Sequence, residues 1–266
     1  MLNFFKKRHL ISDENFLFQI EAYKWLLGNF GGNAFYEETS LVLPTKDFFP
    51  ELVNSPEEAA EVTFKYVKNY SGMKDWPCEL NAQEPDPDRK VAPTIIIQGS
   101  DESPLGTFSA ENPEKALITY NPAIASDPTQ LVATFAHELA HYLAGTCQEP
   151  PPGGWENWEF VTDIAAVFMG FGIFMANSAF GFKQFTDDDL QGWSTSRSGY
   201  LSEAEISYSL AIFLKLKEID PKESYPYLDT NVKAYVKRGL KELNESQSYR
   251  ELKQVKSAEN SSLPIA

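Results

Sequence analysis

The chain has 266 residues, 42% of them hydrophobic and 14% aromatic, enough apolar content for a sizeable core and too much for a disordered chain. With 38 acidic against 23 basic residues the net charge is −15, which opposes binding to a phosphate backbone, so no nucleic-acid partner is expected. Two cysteines do not make a disulfide-dense secreted scaffold, and Asp13 and Glu14 fall where a signal peptide would need an apolar run; a cytoplasmic protein with reduced thiols is expected.

In chain order, a first helix is predicted from Asp13 to Leu27, ending at "GNFGG", where glycine accepts the positive φ of a helix end. "SPEEAAEVTFKYVKNYSG" predicts a second, with Ser55 as cap, Pro56 at the first helical position and Glu58 completing a capping box. The Pro-rich, polar "WPCELNAQEPDPDRKVAP" reads as a loop. Two β-rich runs follow, "TIII" at 94–97 and "ALITY" at 116–120, separated by a turn-rich connection. Asp127 and Pro128 then open a helix whose apolar positions 131, 135, 139 and 143 step by four.

"GTCQEPPPGGWENW" breaks the chain before a helix that starts near Trp158 and continues through 164–182, "IAAVFMGFGIFMANSAFGF". Those 19 uncharged residues approach the length a bilayer requires. Three glycines, Asn177, Ser178 and the lack of a second such segment favour a buried core helix and no membrane partner. After the loop "TDDDLQGWSTSRSGYLS", Ser202 caps a helix with Glu205 as box partner, and a last helix covers Asp229 to Leu243. The expected fold class is α+β, mostly helical. Residues 1–150 form an α/β lobe that ends with the paired-histidine helix, 151–257 a helical lobe, and 258–266 a flexible tail.

Of three histidines in the chain, His137 and His141 lie in "TFAHELAHYL", four residues apart. That spacing puts both imidazoles on one helix face, one turn apart, from which two ring nitrogens can reach one metal. Glu138, one step round the helix, is placed to take a proton from water beside that metal. The flanking residues Thr134, Phe135, Ala136, Leu139, Ala140, Tyr142 and Leu143 are uncharged, as a buried metal-bearing helix requires. The competing explanation is a histidine pair packed in a helix interface.

A catalytic zinc site has three protein ligands and one open position. His9 lies too far away in an N-terminal basic stretch, so a carboxylate or thiol must supply the third ligand. Glu159 opens the next helix, and Asp163 stands four residues on, on the same face. The pair suits a third ligand and an orienting partner for one ligand histidine. Glu156 is a rival that shifts the register by about one turn, favoured less because it has no aspartate four residues later. Cys78 or Cys147 as a thiolate ligand is a further, weaker alternative.

"HELAH" followed by "EFVTD" resembles the gluzincin zinc metallopeptidases of the thermolysin-like clan, whose pattern is H-E-x-x-H, a loop, then E-x-x-x-D. The resemblance covers residues 134 to 163 and implies a zincin-like fold with one Zn²⁺ per chain and a peptide or protein substrate. It implies His137, His141 and Glu159 as ligands, Glu138 as general base and Asp163 behind a ligand. It also implies an edge strand above the active site, for which "ALITY" is the candidate. Members commonly stabilise the oxyanion with a tyrosine or histidine from the C-terminal lobe. No histidine follows His141, so Tyr200 is the expected donor, with Arg197 as alternative; Tyr208, inside a helix, reads as core. The di-iron E-x-x-H pattern requires a second copy that the chain lacks. A zinc-binding protein without catalysis is the alternative, disfavoured because a structural site has no use for Glu138.

Overall fold

The computed structural model describes residues 9–32, 34–83, 105–110, 116–184 and 201–255. Several of its helices begin where a side chain accepts the first unpaired amides. Helix α1 (Asp13–Phe30) is capped by Ser12, which accepts the Asn15 N–H; it passes Gly28 and closes at Gly31, three residues beyond the predicted end. Helix α2 (Pro56–Tyr70) is capped by Ser55, but Glu58 reaches past the cap to the Asn54 N–H at 2.6 Å, so the expected reciprocal box is displaced by one residue.

The sheet differs from expectation in two ways. Strand β1 (Cys78–Ala82) lies inside the Pro-rich stretch that reads as a loop; it pairs in parallel with β3, Cys78 opposite Ala116. Strands β2 (Gly106–Ala110) and β3 (Ala116–Tyr120) are antiparallel, with Gly106 opposite Tyr120. The order is β1-β3-β2, so among the described residues "ALITY" is the middle strand and β2 an edge. Ala116, Ile118 and Tyr120 are buried, and the Tyr120 ring meets Phe135 at 5.9 Å, which explains why the most apolar strand takes the centre. The predicted strand at 94–97 lies outside the described residues.

Helix α3 (Pro128–Ala144) follows, with Asp127 accepting the Thr129 and Gln130 N–H groups. Twelve of its 17 residues are buried, His137 and Glu138 among them. Helix α4 (Trp158–Ala166) packs across it. The long apolar helix predicted beyond this point is interrupted by a π-turn at Val167–Phe171 before α5 (Gly172–Gln184). Gly170 makes the break, with φ 101° and ψ 0°. A Cβ there would collide with the Ser40 carbonyl, and the Gly170 carbonyl accepts the Val42 N–H at 3.0 Å. The run Trp155–Ala179 is long and apolar enough to cross a membrane, yet its most apolar window is 94% buried inside the protein.

Helix α6 (Glu203–Leu216) carries the predicted Ser202–Glu205 capping box, and α1 grips it through Asn15 to the Glu205 carboxylate and Gln19 to the Glu205 carbonyl. Helices α7 (Thr230–Glu245) and α8 (Gln247–Leu252) complete the described chain. The fold is mostly helical with a small three-stranded sheet. One cluster of buried side chains extends from Ile11 to Leu252 with α3 inside it. The stretch 258–266 lies outside the described residues.

Candidate metal centre

Burying α3 forces an account of its polar groups, since a buried charge must be paired, hydrogen-bonded or metal-bound. His137 and His141 leave one face of the helix with ring centroids 4.7 Å apart and Nε2 atoms 3.0 Å apart. The first turn of α4 brings Glu159 to them: its Oε2 is 3.3 Å from each Nε2. A tetrahedral ion with bonds of about 2.0–2.1 Å separates its ligand atoms by about 3.3–3.4 Å, so the triangle has the right size. Glu159 Oε2 is buried and meets no polar partner other than these two imidazole nitrogens, a position that a cation would satisfy. His137, His141 and Glu159 therefore form a group that could hold a metal ion.

The remaining atoms of the ligands are held from behind by α4. Asp163 Oδ1 lies 3.0 Å from His137 Nδ1, and its Oδ2 accepts the Leu201 N–H at 2.9 Å. With the carboxylate accepting, His137 Nδ1 carries a hydrogen, so that the ring in its neutral form presents its Nε2 lone pair to the cluster. His141 Nδ1 faces the Thr162 hydroxyl at 3.2 Å. The Trp158 ring tilts over His141 at 5.9 Å, and the exposed Trp155 lies 5.4 Å from Trp158.

The electrostatics are those of an acceptor-rich pocket. Burial opposes a charge on His137, but the bonds to Asp163 and Glu159 outweigh it and lift its pKa to about 10. Burial lowers that of His141, with Glu159 opposing in part. Burial would raise the Glu159 carboxyl, yet the two histidines hold it well below the usual carboxylate range. Glu138 takes the opposite course: burial lifts it to about 7, His137 working against the shift and the charge on Glu159 adding to it. A carboxyl near neutrality beside the cluster can take or give a proton at ambient pH.

Strand β2 closes over Glu138. A Cβ on Gly106 would lie 2.6 Å from Thr134 Cγ2 and 3.0 Å from Glu138 Oε1, so only glycine lets the strand approach this closely. Among the described residues the edge strand beside the cluster is thus β2, not the "ALITY" strand.

Of the residues singled out by sequence, His137, Glu138, His141, Glu159 and Asp163 come together. Glu156 is exposed on the turn Trp155–Asn157 and does not join them. Among the described residues no cysteine joins them either, and burial pushes both thiols up, Cys147 to about 12, away from the thiolate a metal needs. Tyr200 and Arg197 lie outside the described residues. Tyr208 is buried in α6 with its ring 5.8 Å from Phe16, as a core residue. Thr162, Trp158, Gly106 and the Leu201 amide escaped the sequence analysis. Only Thr162 carried a usable signal, standing three residues after Glu159 on the face that presents it. Compared with protein-family models, curated proteins and solved structures, the chain matches none.

Proposed function

We propose that this chain is a zinc-dependent peptide-bond hydrolase of the gluzincin type, built on a zincin-like fold. One observation carries the proposal: two Nε2 atoms and one carboxylate oxygen converge within 3.0–3.3 Å, beside a buried glutamate poised near neutrality. Two nitrogens and one oxygen suit zinc, and three protein ligands leave one tetrahedral position for chemistry. When bound, zinc supplies Lewis acidity, acidifying water and polarising a carbonyl oxygen.

The chain's own groups do the rest. The Glu138 carboxylate accepts a proton from the attacking water and returns it to the departing amine nitrogen. Asp163 holds the Nδ1–H of His137 and so keeps its Nε2 aimed at the cluster. Strand β2, drawn against Glu138 by Gly106, offers an edge along which an extended peptide or protein segment can align. Tyr200, next in sequence to Leu201, is assigned as the hydrogen-bond donor to the oxyanion.

The test uses tag-free protein, with zinc measured by mass spectrometry and cleavage by a fluorogenic peptide library. Wild type and Glu138→Gln should each hold about one zinc per chain, while the variant loses roughly 10²–10⁴-fold in cleavage rate. Zinc in both with no cleavage by the wild type would leave a non-catalytic zinc protein. No zinc in either, after zinc is supplied, would remove the metal from the proposal altogether.

A further inference from the structure

The two histidines of the cluster are supported by neighbouring residues of one helix, but by different chemistry. Asp163 stands behind His137 with a carboxylate; Thr162, fully buried, stands behind His141 with a neutral hydroxyl. Glu159, Thr162 and Asp163 occupy positions i, i+3 and i+4 of α4, so a single face of one turn supplies the third ligand and both supports.

A hydroxyl has one proton to give. That of Thr162 is committed to the Trp158 carbonyl, 2.9 Å away and four residues back along α4. Toward His141 Nδ1, 3.2 Å away, the same oxygen can therefore only accept. Nδ1 must carry the hydrogen, because two facing lone pairs in a buried contact would leave both groups unsatisfied. The His141 lone pair then lies on Nε2, which sits 3.0 Å from His137 Nε2 and 3.3 Å from Glu159 Oε2.

We propose that Thr162 is a positioning residue that sets His141 in its metal-binding tautomer through a relay running Trp158 carbonyl, Thr162 hydroxyl, His141 Nδ1. Thr162 does this without adding a further negative charge beside Glu138, Glu159 and Asp163. The tautomer follows from the hydrogen bonds alone. Its consequence for affinity rests on the zinc proposal above.

The experiment compares wild type, Thr162→Val and Thr162→Ser. In ¹⁵N-histidine-labelled, metal-free protein, long-range ¹H–¹⁵N correlation spectra report which ring nitrogen of His141 is protonated. Wild type and T162S should show Nδ1–H; T162V should show a mixture or the other tautomer. Competition with a chromophoric chelator should then give a zinc affinity roughly 10–100-fold weaker for T162V, the range expected on loss of an outer partner, with T162S restoring it. A wild-type His141 protonated on Nε2 overturns the proposal whether or not the variants fold. A T162V protein with an unchanged tautomer and unchanged affinity overturns it as well. If wild type takes up no zinc, the metal assignment fails, and the spectra still decide the role of Thr162.

Discussion

His9 lies 3.6 Å from Glu242, and His137 and His141 lie 3.3 Å from Glu159, so the molecule contains two histidine–carboxylate clusters that look alike by residue type. At the first, donors from the chain satisfy the carboxylate. The Leu10 N–H reaches its two oxygens at 3.1 and 3.2 Å, and Arg238 Nε reaches Oε1 at 3.0 Å, while His9 is half exposed. This cluster ties the segment before α1 to α7. At the second, Glu159 Oε2 meets no amide or guanidinium among the described residues and faces only two imidazole nitrogens, at ligand-to-ligand distances. Proximity of histidine and carboxylate does not distinguish a tether from a metal site. A carboxylate oxygen met only by ring nitrogens, all able to turn lone pairs on one point, marks a group that could hold a metal ion.

The largest effect that could break this contrast is in zinc retention. On the zinc proposal, Glu159→Ala should lose zinc by at least about 100-fold in affinity, since removing a proposed ligand exceeds the loss of an outer partner, whereas Glu242→Ala should keep wild-type affinity. Dialysis against a graded chelator followed by metal analysis measures both; equal behaviour of the two variants would end the distinction. Next in size is stability. Glu242→Ala removes the acceptor of the Leu10 amide and of the Arg238 Nε–H, and urea unfolding of metal-free protein should show a loss of about 1–2 kcal/mol. A loss under about 0.5 kcal/mol would mean that the tether is ornamental.

The smallest expected signal concerns protons. In the metal-free chain His137 is held at about 10, above its ordinary 6.5, so at neutral pH it carries a proton that zinc must displace. Zinc uptake should therefore release about one proton per chain, and affinity should rise with pH up to about 10. Calorimetry in two buffers of different ionisation heat counts the protons. Uptake without release would place the metal away from His137.

What was legible in the sequence follows periodicity. His137, Glu138 and His141, like Glu159 and Asp163, are pairs one helical turn apart, and helical spacing converts sequence directly into a shared face. Caps were legible for the same local reason: Ser55, Asp127 and Ser202 each accept amides two or three residues onward. Strand β1 was hidden because its residues, Cys-Glu-Leu-Asn-Ala between Pro-rich flanks, carry no β signal of their own and are held by pairing with β3. The middle place of β3 was hidden with it, because without β1 the described residues show no second strand for β3 to pair with besides β2. Gly170 shows the same limit: within an apolar run it reads as one more helix residue, and only the approach of the Ser40 carbonyl makes it a break.

By itself, then, the sequence determined which residues can act together within one helix: the paired imidazoles and their glutamate on α3, the carboxylates on α4. Local geometry suffices there, since 3.6 residues per turn leave little choice of face. The crossing of α4 over α3 decided that Glu159, not Glu156, meets both histidines, and it put Thr162 behind His141. The same packing decided that β2 closes on Glu138 through Gly106. Those are contacts between elements distant in the chain, fixed by the burial of one shared core, and no local spacing records them.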